Sequence, residues 1–103
     1  MAQLAEAERS GAVDLMKALG HPVRLRLIEA TLQGPRTVRE LATLDGLGTS
    51  GQLYHHLRLL TDTGWLHCPR RGQYAITEER AERVRLAVAT AQAASRRRTE
   101  RRA

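Results

Sequence analysis

The stretch from Thr49 to Leu60, TSGQLYHHLRLL, holds the residues of this sequence best suited to chemistry with a partner. Leu53, Leu57 and Leu60 recur at helical spacing and turn inward. That leaves Ser50, Gly51, Gln52, Tyr54, His55 and Arg58 on the outer side of the same helix. A carboxamide such as Gln52 can bond adenine through two hydrogen bonds, and a guanidinium such as Arg58 can do the same with guanine. Ser50 and Tyr54 can reach phosphates or bases, and Gly51 lets a backbone come close. A merely solvated helix face usually carries Glu, Lys and Asp, yet no acidic residue occurs between Thr49 and Leu60. The chemistry that fits this face is recognition of double-stranded DNA. Arg70 and Arg71, beside Gly72, add a positive turn able to reach a phosphate ladder or a minor groove.

Other chemistry finds little support. His55 and His56 are consecutive on one helix and diverge by about 100°, a poor geometry for a shared metal. His67 and Cys68 are adjacent in an extended segment and point to opposite faces. No Ser-His-Asp, Cys-His or phosphate-loop spacing is present, so the reading is a non-enzyme with no cofactor and no metal site.

These groups need elements to hold them. A helix is expected from about Ala2 to Leu19, stopped by Gly20-His21-Pro22, and a second from Pro22 to Gln33, stopped by Gly34-Pro35. Thr37 and Glu40 form a T-x-x-E capping box that opens a short third helix. Asp45-Gly46-Leu47-Gly48 is a turn. Thr49 and Gln52 then form a second box, which starts the fourth helix, expected to run to about Thr63. Trp65–Cys68 and Gln73–Ile76 read as two strands of a hairpin closed by Pro69-Arg70-Arg71-Gly72. Thr77 caps a last helix whose Ala81, Val84, Val88 and Ala91 repeat at spacings of three and four, a narrow seam for packing against another helix. The expected fold class is mainly α with a small antiparallel β-hairpin, in the order ααααββα: a winged helix-turn-helix in which the second helix of the turn enters the major groove.

Length and charge agree with one such unit. The chain has 103 residues, enough for one domain and marginal as a monomer, for which dimerisation is a natural remedy. Seventeen basic residues against 11 acidic ones give a net charge of +6, and every basic residue but Lys17 is arginine. Arginine forks match phosphates and guanine edges. With one cysteine no disulfide can form within the chain. Without a signal-peptide pattern or a membrane-length apolar run the expectation is a cytoplasmic protein with no membrane partner. Residues 1–95 are expected to form the DNA-binding and dimerisation domain, and 96–103 a basic tail carrying Arg96-Arg97-Arg98 and Arg101-Arg102.

Four segments together resemble the ArsR-type regulators. Residues 17–28, KALGHPVRLRLI, are similar to that family's LGxPxRLxIL opening. Thr37–Ala42 resembles its helix before the recognition helix, and Gln52–Leu60 its recognition helix, followed by Gly64. Arg70-Arg71-Gly72-Gln73-Tyr74 resembles its wing. The resemblance runs in order from Leu15 to Thr77. It implies a homodimer built from the first and last helices, with Leu4, Ala7 and Leu15 facing Ala81, Val84, Val88 and Ala91. It implies an inverted-repeat operator and repression relieved by an effector. Family members that sense metals often carry paired cysteines before the recognition helix, or Asp and His along the last helix. Arg39–Leu44 holds no cysteine, and Glu78–Ser95 holds no His, Asp or Cys. The expected effector is therefore an unknown small molecule or protein, if one acts at all. The alternatives are a winged helix that binds proteins instead of DNA, or a regulator sensing a metal.

Overall fold

The structure is a computed structural model and describes residues 3–102. Five helices and two short strands follow one another: α1 Glu6–Leu19, α2 Pro22–Thr31, β1 Arg36–Thr37, α3 Val38–Ala42, α4 Ser50–Asp62, β2 Gln73–Tyr74 and α5 Glu78–Arg102. Among the described residues, no helix is long and apolar enough to cross a membrane.

The helix starts follow from local hydrogen bonding. α1 begins at Glu6, later than the sequence reading has it, because Ala5 at its N-cap has no side chain to accept a backbone bond. Ala2, where that reading begins, lies outside the described residues. α2 starts at Pro22, which gives up no hydrogen bond there since a first-turn N–H has no intrahelical acceptor. His21 caps it, its Nδ1 accepting from the Val23 N–H at 3.1 Å. Both expected capping boxes form, at Thr37 with Glu40 and at Thr49 with Gln52. Their two reciprocal bonds satisfy donors the helices cannot. Thr77 Oγ1 accepts from the Arg80 N–H at the head of α5.

α2 packs between α1 and α4. Leu27 and Ile28 of α2, Leu41 of α3, and Leu53, Leu57 and Leu60 of α4 are sealed in one cluster with Ala18, Leu47, Trp65, Leu66 and Val84. The one buried polar residue, Thr31, donates its hydroxyl hydrogen to the Ile28 carbonyl at 2.7 Å, so it carries no unsatisfied group.

Two expectations need correction. The sheet is not the simple hairpin of Trp65–Cys68 with Gln73–Ile76. β2 pairs antiparallel with β1, Arg36 opposite Tyr74 and Thr37 opposite Gln73, and the preceding segment adds only the bridge between His67 and Ala75. The cause is packing. Trp65 and Leu66 leave the ladder for the core, with Trp65 Nε1 donating to the Leu15 carbonyl at 2.8 Å and Leu66 N to the Leu60 carbonyl at 3.1 Å. Meanwhile Thr37 must be extended to cap α3, and the strand edge it exposes takes the free side of β2. Gly72, at φ +75°, turns the chain into β2, and its carbonyl accepts from the Val38 N–H.

The second correction concerns the helical seam. Ala81 and Val84 are 2% and 1% exposed, buried within this chain, and so are unavailable to a partner. Val88 is half-buried and Ala91 is exposed. A three-and-four spacing fits a helix packed on its own core as well as one packed on another chain. α5 continues unbroken through the arginine segment 96–102.

Candidate nucleic-acid interface

α3 and α4 are joined by a turn in which Gly46 and Gly48 lie at φ +79° and +82°, conformations that suit glycine. Gly48 has a further constraint: a Cβ there would collide with the Gln52 carboxamide, which folds back over the turn. Gln52 Oε1 accepts from the Thr49 N–H at 2.8 Å, and the Gln52 N–H donates to Thr49 Oγ1 at 3.2 Å. The carboxamide is thus partly spent. The two-bond adenine contact expected of Gln52 would require its oxygen, which would break the cap; its Nε2 can still donate to a base acceptor.

The rest of the face is arranged as its spacing implies. Ser50, Gly51, Tyr54, His55 and Arg58 are all exposed, while Leu53, Leu57 and Leu60 are buried beneath them. Tyr54, 54% exposed, is one of the few large apolar side chains left open to solvent. Gly51, Tyr54, His55 and Arg58 share an open hollow of about 510 Å³ with Tyr74 of β2. The strand pairing therefore brings the wing's root against the outer face of α4. Arg70 and Arg71 stand exposed at the tip and do not line this hollow. Tyr74 belongs to this surface although spacing on α4 could not reveal it. Its hydroxyl pKa is pushed up, first by burial and then by its neighbour Cys68.

Arg24 is the functional residue that sequence reasoning missed. Its Nε donates to the Ala18 carbonyl at 2.7 Å and its Nη2 to the Lys17 carbonyl at 3.1 Å, closing the end of α1. Its Nη1 lies 3.3 Å from His56 Nδ1 on α4. One guanidinium thus ties α1 and α2 to the back of the outward-facing helix. The available signal was an arginine two residues after the Pro22 helix start, too generic to read alone.

His56 is half-buried, and its ring lies 4.7 Å from that of His21 and 5.8 Å from that of His55. Burial lowers its pKa below the ordinary 6.5, and His21, Arg24 and His55 lower it further. The group is harder to protonate folded than unfolded, so acid favours the unfolded chain. His56 therefore stabilises the fold fully above the ordinary histidine value, and that contribution is lost as pH falls from there through its depressed value. Urea midpoints of the native chain should drop between pH 7.5 and pH 5.5, and His56→Gln should flatten that drop. Glu40 behaves in the same sense at lower pH. Its carboxylate is held below 4.5, chiefly by the Thr37 backbone and side-chain hydrogen bonds. An equally steep drop in His56→Gln would assign the effect elsewhere.

No family model and no curated protein sequence matches the chain. Solved structures do. The Rv0081 protein of Mycobacterium tuberculosis is 27% identical, with 97% of this chain and 100% of that one covered at a TM-score of 0.74. The transcriptional repressor BigR from Xylella fastidiosa is 28% identical, with 82% and 90% covered at a TM-score of 0.64. The homodimeric winged helix-turn-helix DNA-binding domain of Mb0332 from Mycobacterium bovis, described as a possible ArsR-family regulator, is 26% identical, with 89% and 91% covered at a TM-score of 0.75. With the capped α3–turn–α4 unit, the wing that packs on it and the four family segments in register, these likenesses make the chain an ArsR-type winged helix-turn-helix protein.

Proposed function

We propose that the chain is a transcriptional regulator, acting as a repressor, that binds an inverted repeat in double-stranded DNA as a homodimer. The observation that carries this reading is the exposed, acid-free outer face of α4, preset by its capping box and flanked by the wing. Thr49, Ser50, Gly51, Gln52, Tyr54, His55 and Arg58 form the groove-reading surface, and Arg70 and Arg71 hold phosphates or a minor groove. A regulator of this kind acts in the cytoplasm. Residues 1–95 carry binding and dimerisation, and the arginines of 96–103 complement the negative end of the α5 dipole.

For the dimer, the exposed apolar side chains are the material at hand. Leu4, Val13 and Met16 on the α1 side and Leu86 on α5 are 55%, 37%, 64% and 70% exposed, beside the exposed Ala7 and Ala91 and the half-buried Leu15 and Val88. Two copies joined through α1 and α5 would cover these groups and set their recognition helices about 34–36 Å apart, one DNA turn. A Met16→Asp, Leu86→Asp chain is expected to sediment as a monomer with its helical circular dichroism intact. A persistent dimer would place the interface elsewhere.

The deciding experiment is fluorescence anisotropy against the DNA upstream of the chain's own gene and against a scrambled duplex, across a salt series. A preference for the upstream DNA that survives rising salt is expected. Equal and salt-labile binding to both would reduce the interaction to electrostatics. No binding at low salt would turn the reading to a protein partner. In the same assay Arg70→Ala with Arg71→Ala should weaken both duplexes alike and lower the salt slope by about 1.8, the value for two lost phosphate contacts. A weakening confined to the upstream duplex would instead make the wing a base reader.

A further inference from the structure

A second hollow, of about 480 Å³, opens between the end of α1 and the flank of α4, away from the wing. Its volume is in the range of small-molecule sites. Lys17, Arg24 and Arg58 bring positive charge to it, and Ala18 and Leu59 bring an apolar wall. Arg24 is an unusually well prepared anion receptor. Its bonds to Ala18, Lys17 and His56 occupy three of its five N–H groups and fix its plane, which leaves two donors without a cost of ordering. Asp14 and Asp62 also line the hollow, and neither they, nor Lys17, nor Arg58 stand in an ion pair among the described residues. Three fixed cations therefore face two carboxylates, and one positive charge is left without a counterpart. A monoanion balances it; a dianion or a cation does not.

Arg58 and His55 line this hollow and also the outer hollow shared with Tyr54 and Tyr74. Both side chains can serve only one side at a time. We infer that the hollow between α1 and α4 is an effector site for a small organic monocarboxylate with an apolar body, and that its occupation draws Arg58 and His55 off the DNA-facing surface. The second half rests on the DNA reading proposed above; the first does not. Since the coupling is reciprocal, operator DNA must weaken the ligand as much as the ligand weakens the DNA.

Benzoate is a fitting probe, one carboxylate on a flat apolar body. Calorimetric titration of the full chain without DNA should show saturable binding at one site per chain. Lys17→Met should weaken it about tenfold, the worth of one charge-assisted contact. Benzylamine, its cationic counterpart, should give no saturable heat. Absence of benzoate binding, equal binding by Lys17→Met, or equal binding of benzylamine would overturn the site. In anisotropy at constant ionic strength, saturating benzoate should release the upstream duplex from the native chain. Lys17→Met without ligand should bind that duplex as the native chain does. Benzoate that binds without weakening the DNA complex would overturn the coupling and keep the site. A chain that binds benzoate but no DNA would sink the regulator reading and leave the site standing.

Discussion

Val84→Glu is expected to leave the chain largely unfolded at neutral pH, not folded and monomeric. The side chain is 1% exposed and lies in the cluster with Leu27, Leu57 and Trp65. No cation among the described residues is sealed in that cluster to meet a carboxylate. An uncompensated charge in such a place costs about 3–5 kcal/mol. A domain of this size has about 5–15 kcal/mol of stability in all, so the substitution removes a large part of it. Burial would raise the new carboxyl's pKa, so part of the loss should be recovered as pH falls and the group becomes neutral. That pH trend runs opposite to the one set by His56, which separates the two effects. Urea unfolding followed by circular dichroism at pH 7.5 and pH 5 measures both. The control is Leu86→Glu on the same helix, where the native side chain is 70% exposed and folding of the single chain should be unchanged. A Val84→Glu protein that folds as stably as the native chain would return Val84 to an interface between copies.

This contrast shows which parts of the molecule a sequence exposes. The capping boxes at Thr37 and Thr49 were legible because they are local: the donor, the acceptor and the helix they start lie within four residues. The inward stripe of Leu53, Leu57 and Leu60 was legible because helical geometry fixes it once the start is known. Wing pairing was not. Its strands are two residues long, and β2's partner, Arg36–Thr37, is far away in the chain and is extended for a different reason, the cap of α3. The destination of Val84 was hidden too, since apolar spacing gives a helix's buried side without saying what buries it. Gln52 shows a third limit. One residue type satisfied two patterns, a cap and a base reader, and only the fold reveals that its oxygen is committed to the cap.

With Gln52 so engaged, the burden of base recognition moves to Arg58. It stands on the outer face two helical turns beyond Thr49, and the nearest acid along α4 is Asp62. Its guanidinium can present two parallel N–H groups to guanine, a contact worth about 1–3 kcal/mol of discrimination against the wrong base. Arg58→Ala should therefore weaken the upstream duplex by about 5- to 150-fold while the scrambled duplex changes far less, so that the specificity ratio collapses. Arg58→Lys should keep the charge, and with it most of the non-specific affinity, yet recover little specificity, because an ammonium lacks the planar fork. Fold is not at stake in either variant, since the native side chain is exposed and makes no ion pair among the described residues. Equal weakening of both duplexes by Arg58→Ala, with full rescue by lysine, would make Arg58 a phosphate contact. Sequence reading would then have to come from Tyr54, His55 and the Gln52 amide nitrogen, or from the shape of the DNA the wing and α4 embrace.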